Sequence, residues 1–151
     1  MNEFEIVNIV KRPVEEVFAF VEKAENISMY NPAVREARKT SEGPIGIGST
    51  AVMTGRFLGR DFDTSWETVD YKLNERFEAK TVSGPFHLEI LSTFEATTDG
   101  GTRITQHCKG DTRGFFKLAE PVVFRITRKQ FEASAEALKE LLEAGGDASG
   151  G

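Results

Sequence analysis

The sequence has 151 residues and a net charge of −5, with acidic and basic residues interleaved along the chain. Its 39% hydrophobic and 28% charged residues exclude a disordered chain and fit one domain with a core of its own. The charge pattern argues against nucleic acid as a partner, because proteins that bind nucleic acid concentrate Lys and Arg in one patch.

Cellular location is predicted from what the sequence lacks. The single cysteine, Cys108, excludes an intramolecular disulfide and fits a reducing compartment. The first residues do not show the basic-then-apolar pattern of a signal peptide, and no apolar run is long enough to cross a membrane. We therefore expect a cytoplasmic protein with no integral membrane association.

The first part of the chain predicts one strand and two short helices. Residues 2–10 are rich in β-branched side chains, as strands are. Pro13 suits the start of a helix, and apolar residues then recur at helical spacing from Val14 to Val21. A second short helix is expected over residues 25–30, where an Asn-Pro pair follows.

The middle of the chain predicts a series of hairpins. From position 34 the apolar period changes to two, which is typical of strands. Turns containing Gly, Asn or Pro separate six predicted strands, at residues 34–42, 48–59, 61–71, 75–83, 86–97 and 102–113. Such short links predict an antiparallel meander.

A long helix with one apolar stripe is predicted over residues 121–144. Pro121 suits its first turn, and Gly145 with Gly146 is expected to end it. We interpret residues 1–144 as a single domain and 145–151 as a flexible tail. Strands segregated from helices indicate the α+β class, with a twisted seven-stranded sheet that curls around the long helix.

Five short motifs extend across the chain. They are residues 12–21 (RPVEEVFAFV), 29–32 (MYNP), 46–49 (GIGS), 99–105 (DGGTRIT) and 137–143 (ALKELLE). In this order and spacing the sequence resembles the START-like superfamily, also called SRPBCC after its polyketide cyclase/dehydrase and lipid-transport members. One departure is residues 73–76 (LNER), where many members have a Pro-rich turn.

The resemblance implies a helix-grip fold, in which a seven-stranded antiparallel sheet wraps the C-terminal helix around an apolar cavity. Two short helices stand between the first and second strands in this fold. The resemblance does not imply a particular ligand, because its members include lipid and hormone carriers as well as cyclases.

The last hairpin predicts which side chains face the cavity. A three-residue loop at 99–101 places Phe94 opposite Gln106 and Ala96 opposite Ile104. This register puts apolar residues inside and charged residues outside, together with both histidines, His87 and His107. A pairing of His107 with the outward Glu95 would be a cross-strand contact at the surface.

Strand alternation and the helical stripe extend this cavity. In strand 48–59 the alternation does not decide the inner face, and Met53 and Phe57 are our choice. The predicted cavity residues are Met29, Tyr30, Met53, Phe57, Phe62, Trp66, Phe77, Leu88, Ile90, Ser92, Phe94, Gln106, Cys108, Phe116, Phe124, Thr127, Phe131, Ser134 and Leu138.

Polar residues on the inner face have two interpretations. Buried polar groups must be hydrogen-bonded or wet. Ser92, Gln106, Thr64 and Thr81 either satisfy one another or hold the polar end of a ligand. Trp66 is likewise either a core residue or a donor to a ligand. The hydroxyl of Tyr30 is a candidate gating or ligand-binding group at the cavity mouth.

No catalytic or metal-binding constellation is predicted. The inner faces contain no carboxylate and no histidine, and the sequence has no metal-ligand spacing, no Gly-x-Ser-x-Gly elbow and no phosphate loop. Cys108 has no neighbouring base and is interpreted as a small core residue. We therefore expect no metal and no cofactor.

Three functions are compatible with these features. The first, which we favour, is binding of a hydrophobic small molecule, for transport or sensing, between the sheet and the C-terminal helix. The second is a polyketide cyclase or dehydratase-like enzyme, which needs an acid or base in the cavity, such as Tyr30 or Arg56. The third is a chaperone-type interaction module, which needs an apolar patch on the outer sheet face. The sequence does not predict an oligomeric state.

Overall fold

The computed structural model describes the backbone of residues 2–112 and 114–150 and the side chains of residues 2–112 and 117–145. The elements in chain order are β1 (Asn2–Val10), α1 (Val14–Val21), a first 3-10 helix (Ala24–Met29), β2 (Val34–Lys39), β3 (Thr50–Phe57), β4 (Arg60–Lys72), β5 (Arg76–Ser83), β6 (Phe86–Ala96), β7 (Thr102–Thr112), a second 3-10 helix (Gly114–Ala119) and α2 (Glu120–Gly150). The strands form one antiparallel sheet in the order β1-β7-β6-β5-β4-β3-β2. The predicted α+β class and the helix-grip arrangement are confirmed.

Two element ends differ from the sequence prediction by three residues or more. β2 ends at Lys39 rather than at residue 42, and the Lys39 ammonium group donates to the carbonyl oxygens of Ser41 and Gly43. α2 continues to Gly150, past the glycine pair that was expected to end it. A glycine inside a helix costs about 1 kcal/mol, which weakens the helix without forbidding it. The flexibility of residues 145–151 stays a prediction.

The β6–β7 hairpin has a three-residue loop, but it starts one residue earlier than predicted. Thr97 N–H donates to the Gly101 carbonyl oxygen at 3.0 Å, so the loop is residues 98–100. Gly100 then takes a left-handed φ of 84°, which glycine adopts without strain at the end of such a loop. Phe94 therefore lies opposite Ile104 rather than Gln106. The pairs shift by two residues, so every side chain keeps its predicted face.

On one side of the molecule, the long helix packs directly on the sheet. Asn8 in β1 donates a side-chain hydrogen bond to the Ala135 carbonyl oxygen at 2.8 Å, at the middle of α2. The rings of Phe4 and Phe131 meet edge to face with centroids 5.2 Å apart. The helix is thus attached along β1.

On the other side, the sheet contains bulges. The register shifts between β2 and β3 near residue 35, and at two places between β4 and β5. A β-bulge bends its strand and increases the local twist. The sheet therefore has a structural cause for curling away from α2 on the side formed by β2 to β5.

One of these bulges changes which residues face inward. In β4, Thr68 pairs with Ala79 and Asp70 pairs with Glu78, so Val69 is the extra residue. Tyr71 consequently lies opposite Phe77, on the same inner face as Thr68. Under strict alternation from Thr68, position 71 would lie on the outer face.

Candidate ligand-binding cavity

The space between the sheet and its covering helices is a cavity with two adjoining lobes. Lobe 1 has a volume of about 190 Å³ and lobe 2 about 220 Å³. Six residues line both lobes, and we call them the waist. They are Ile27, Tyr30, Met53, Trp66, Ile90 and Gln106.

The long helix forms a wall of lobe 2 only. Thr127, Gln130, Phe131 and Ser134 of α2 line this lobe, opposite strand residues that include Phe62. The hydroxyl groups of Thr127 and Ser134 donate to helix carbonyl oxygens one turn earlier, at 2.9 and 2.8 Å. Their hydrogen-bond donors are therefore already used within the helix.

Lobe 1 is covered by other elements. Its walls include Val21 at the end of α1, Ile27 in the first 3-10 helix and Ile45 in the β2–β3 connection. No residue of the described part of α2 lines this lobe. The C-terminal helix was predicted as one wall of the cavity, and it lines lobe 2 but not lobe 1.

Most of the predicted cavity residues line this space. Those in lobe 1, lobe 2 or both are Tyr30, Met53, Phe57, Phe62, Trp66, Phe77, Leu88, Ile90, Ser92, Gln106, Thr127, Phe131 and Ser134. Leu138 lines a smaller space of about 30 Å³ between β1 and α2, which also reaches Tyr30 and Gln106.

Four predicted residues lie elsewhere. Met29 is 60% exposed, at the end of its 3-10 helix. Phe94 faces inward but packs on Phe18, with ring centroids 5.0 Å apart. Cys108 and Phe124 are buried in a cluster with residues of β1, where α2 covers the sheet directly. Phe116 lies outside the residues whose side chains the structure describes.

Cys108 is an inert core residue in this environment. Its side chain is fully buried. Burial raises the pKa of the Cys108 thiol from 9.0 to about 12, so the reactive thiolate does not form at neutral pH.

Some inner polar groups satisfy one another. Thr81 accepts a hydrogen bond from the Leu88 backbone N–H at 3.0 Å and is therefore a structural residue of the sheet. Ser92 is 1% exposed, and its hydroxyl oxygen lies 3.5 Å from the Gln106 side-chain nitrogen. That distance is long for a hydrogen bond, so most of the bonding capacity of the Gln106 amide is left for other partners.

Two aromatic donors at the waist have no acceptor in the described part of the chain. The indole N–H of Trp66 is buried and unpaired. The Tyr30 hydroxyl likewise makes no hydrogen bond there, and burial raises its pKa well above the ordinary value. Tyr30 therefore stays neutral and remains able to donate.

The cavity also contains a carboxylate that sequence reasoning missed. Glu22 lines lobe 1 and accepts a hydrogen bond from the Tyr71 hydroxyl at 2.7 Å. Burial first, and then the bond to Glu22 and its negative charge, raise the pKa of Tyr71 from 10.0 to about 12. Glu22 stands four residues after Phe18, so it continues the apolar face of α1, and that spacing was the available signal.

A match to one protein family extends over nearly the whole chain. The profile of the family described as polyketide cyclase/dehydrase and lipid transport matches residues 1–143. The chain belongs to this family. A search of curated proteins finds no match to the sequence.

Solved structures share the fold of this polyketide cyclase/dehydrase family member at low sequence identity. The ZhuI aromatase/cyclase from Streptomyces sp. R1128 is 13% identical, with a TM-score of 0.86 over 99% of this chain and 98% of its own. A START superfamily protein from Mycobacterium smegmatis is 14% identical, with a TM-score of 0.81 over 94% and 97%. A protein from Thermus thermophilus is 17% identical, with a TM-score of 0.81 over 95% and 99%. At these identities, the similarity establishes the fold alone.

The histidines of this family member lie on the outer face. His107 contacts Glu3 at 3.1 Å and Glu5 at 3.6 Å, both in β1, rather than Glu95. Glu5 lies directly opposite His107 in the β1–β7 pairing, whereas Glu95 lies opposite Arg103 in the β6–β7 pairing. His87 lies 3.7 Å from Asp111. Within the described residues, no group of His, Cys, Asp and Glu is arranged to hold a metal ion.

In the part of the chain that the structure describes, every helix falls short of the length or the apolar character needed to cross a bilayer.

Proposed function

We propose that this protein binds a hydrophobic small molecule in the two-lobed cavity, for transport or sensing. The observation that carries the proposal is that a chain with twelve Phe residues leaves about 190 and 220 Å³ unfilled beneath its sheet. Protein interiors are close-packed, and unfilled volume costs stability. A void of this size with mainly apolar walls is typical of a ligand site.

Affinity would come mainly from removing apolar ligand surface from water. Burial contributes about 25 cal/mol for each Å² of apolar surface. Phe62, Phe77, Leu88 and Phe131 supply apolar wall, and Gln106 supplies a polar group that orients the ligand. This mechanism needs no reaction of any protein group.

Native mass spectrometry of the protein purified from its own host tests the proposal. We expect a bound apolar molecule that is lost from a Ser134→Leu variant, because the larger side chain enters lobe 2. Ala133→Leu is the matched control, since Ala133 is an exposed neighbour on the same helix. Protein that carries no small molecule, and that binds none from a lipid and polyphenol extract, would contradict the proposal.

A second candidate function is favoured by one observation, the Glu22–Tyr71 pair in lobe 1. A carboxylate hydrogen-bonded to a phenol in an apolar cavity is a possible acid–base pair for a cyclase or dehydratase. We therefore retain a polyketide cyclase-like activity as the alternative. Turnover of an aromatic polyketide that is abolished in Glu22→Gln would support it, and equal turnover in wild type, Glu22→Gln, Tyr30→Phe and Arg56→Leu would exclude it.

The interaction-module hypothesis has less support. The most exposed large apolar residues on the outer sheet face are Val7 and Ile9 in β1 and Val82 in β5. Strands β7 and β6 separate β1 from β5. In the described residues these side chains therefore do not form one contiguous patch. A cytoplasmic location stays a prediction.

A further inference from the structure

We propose that the ligand is a neutral molecule with a hydrogen-bond acceptor in its middle and an apolar arm on either side, and that Trp66 donates to this acceptor. This inference rests on the proposed binding function and specifies the ligand class. It starts from the waist, where the two lobes meet.

The first step concerns hydrogen bonding. The Trp66 indole N–H is a donor only, and it is buried without an acceptor in the described part of the chain. Leaving such a donor unpaired costs about 1–3 kcal/mol. Tyr30 at the waist also has a hydroxyl without an acceptor there. Two donors at the waist therefore lack acceptors, and a carbonyl group of a ligand would supply one.

The second step concerns charge. None of the six waist residues carries a charge at neutral pH. The charged side chains of lobe 1 are already engaged: Glu22 accepts from Tyr71, and Lys39 donates to the carbonyl oxygens of its own loop. In lobe 2 the charged lining residue is Arg56, which is exposed to solvent and does not belong to the waist. A carboxylate placed at the waist would be buried without a cation, which is strongly unfavourable. The acceptor is therefore a ketone, ester or amide oxygen.

The third step concerns shape. Trp66 and Tyr30 line both lobes, so an acceptor held at the waist lies between two open spaces. A dry apolar cavity of about 150 Å³ accommodates benzene. Lobes of about 190 and 220 Å³ therefore each accept a group of about the size of one aromatic ring. The acceptor sits between these two arms rather than at one end of the molecule.

Three matched probes test these steps. Dibenzyl ketone has two aromatic arms and a central carbonyl group, dibenzylmethane replaces the carbonyl with a methylene, and dibenzylacetate carries a central carboxylate. The measured quantity is the ratio of the dissociation constants of dibenzylmethane and dibenzyl ketone. We expect Trp66→Phe to lower this ratio about fivefold, which is the effect of one net hydrogen bond. Phe77→Leu, an aromatic change in lobe 1, is the control and should leave the ratio unchanged.

A spectroscopic measurement on the wild-type protein tests the same hydrogen bond without any substitution. The chain has one tryptophan, so its nitrogen-15 spectrum contains a single indole signal. We expect dibenzyl ketone to move this proton downfield, as hydrogen bonding does, and dibenzylmethane not to do so.

The outcomes separate this inference from the function on which it rests. If both neutral probes bind but the ratio is the same in Trp66→Phe and the indole proton does not move, the inference fails while the binding function stands. Binding of dibenzylacetate as tightly as the ketone would overturn the neutral ligand class. If no probe binds, both the inference and the proposed function are contradicted.

Discussion

The two ends of the sheet both present apolar residues to the interior, but different elements of the fold pack against them. On the closed side, formed by β1, β7 and the hairpin end of β6, inner residues such as Ile104 and Cys108 are 3% and 0% exposed. On the open side, formed by β3, β4 and β5, inner residues such as Met53 and Trp66 line a cavity. The β1–β7 and β6–β7 registers are unbroken, whereas both β2–β3 and β4–β5 contain bulges.

This difference shows that an apolar inner face does not by itself specify a core or a pocket. The deciding factor is whether a helix packs directly on that face. The Asn8–Ala135 hydrogen bond holds α2 on β1, whereas bulges give the strands from β2 to β5 a structural cause to curl away from it.

The largest effect is expected from a truncation in the packed core cluster, where Phe18 of α1 meets Phe94 and Ile104 of the closed side. Phe18 is fully buried and its ring meets those of Tyr71, Phe77 and Phe94 at centroid distances of 5.0–5.8 Å. Phe18→Ala should lower the free energy of unfolding by about 3–5 kcal/mol, because a packed site cannot collapse around the lost ring. The measurement is denaturant unfolding.

The matched truncation on the open side is Met53→Ala. Met53 borders both lobes, so removing its side chain enlarges an existing void and loses fewer contacts. We expect a loss of about 1 kcal/mol. Equal losses for the two variants would show that the cavity side is as tightly packed as the closed side.

Neighbouring positions of α2 give a second contrast. Ala135 packs in the cluster with Phe4 and Phe124, whereas Ser134 lines lobe 2. Ala135→Leu should destabilise the fold by about 1–3 kcal/mol through overpacking, and Ser134→Leu should change stability by less than about 1 kcal/mol. Thermal and denaturant unfolding of both variants test this. Greater damage from Ser134→Leu would mean that lobe 2 does not accept the added side chain.

The smallest effect is expected in alkaline solution. The pKa of Tyr71 is raised from 10.0 to about 12, so the folded state holds this proton more tightly than the unfolded chain. The stabilisation is complete below pH 10 and is lost as the pH rises towards 12. Tyr71→Phe should therefore show a smaller fall in melting temperature between about pH 8 and about pH 11 than wild type does. An identical fall in both proteins would contradict the role assigned to Tyr71.

Much of the fold was predictable because it depends on periodicity. Alternation assigned Leu88, Ile90 and Ser92 to the inner face, and an error of two residues in the hairpin register left that face unchanged. Alternation does not indicate which elements of the fold pack against the inner face. For that reason Phe94 and Cys108 were predicted to line a cavity, although other side chains cover them.

The carboxylate and the phenol of lobe 1 were missed for local reasons. Tyr71 faces inward because of an extra residue in β4, and no pattern of apolar residues indicates a bulge. Glu22 follows the last residue of α1, and a charged residue at a helix end is ordinarily assigned to solvent. Its hydrogen bond to Tyr71 joins parts of the chain that are 49 residues apart.

Because of the bulge at Val69, the volume of the cavity depends on how many residues β4 contains as well as on which residues they are. Deleting Val69 would leave Thr68 opposite Ala79 and Tyr71 opposite Phe77, so the wall would keep the same side chains. The strand would lose its bend, however, and the sheet would lie flatter against the helix. In a lineage of such proteins, insertions and deletions within strands are therefore a route to new cavity sizes that leaves the chemistry of the wall intact.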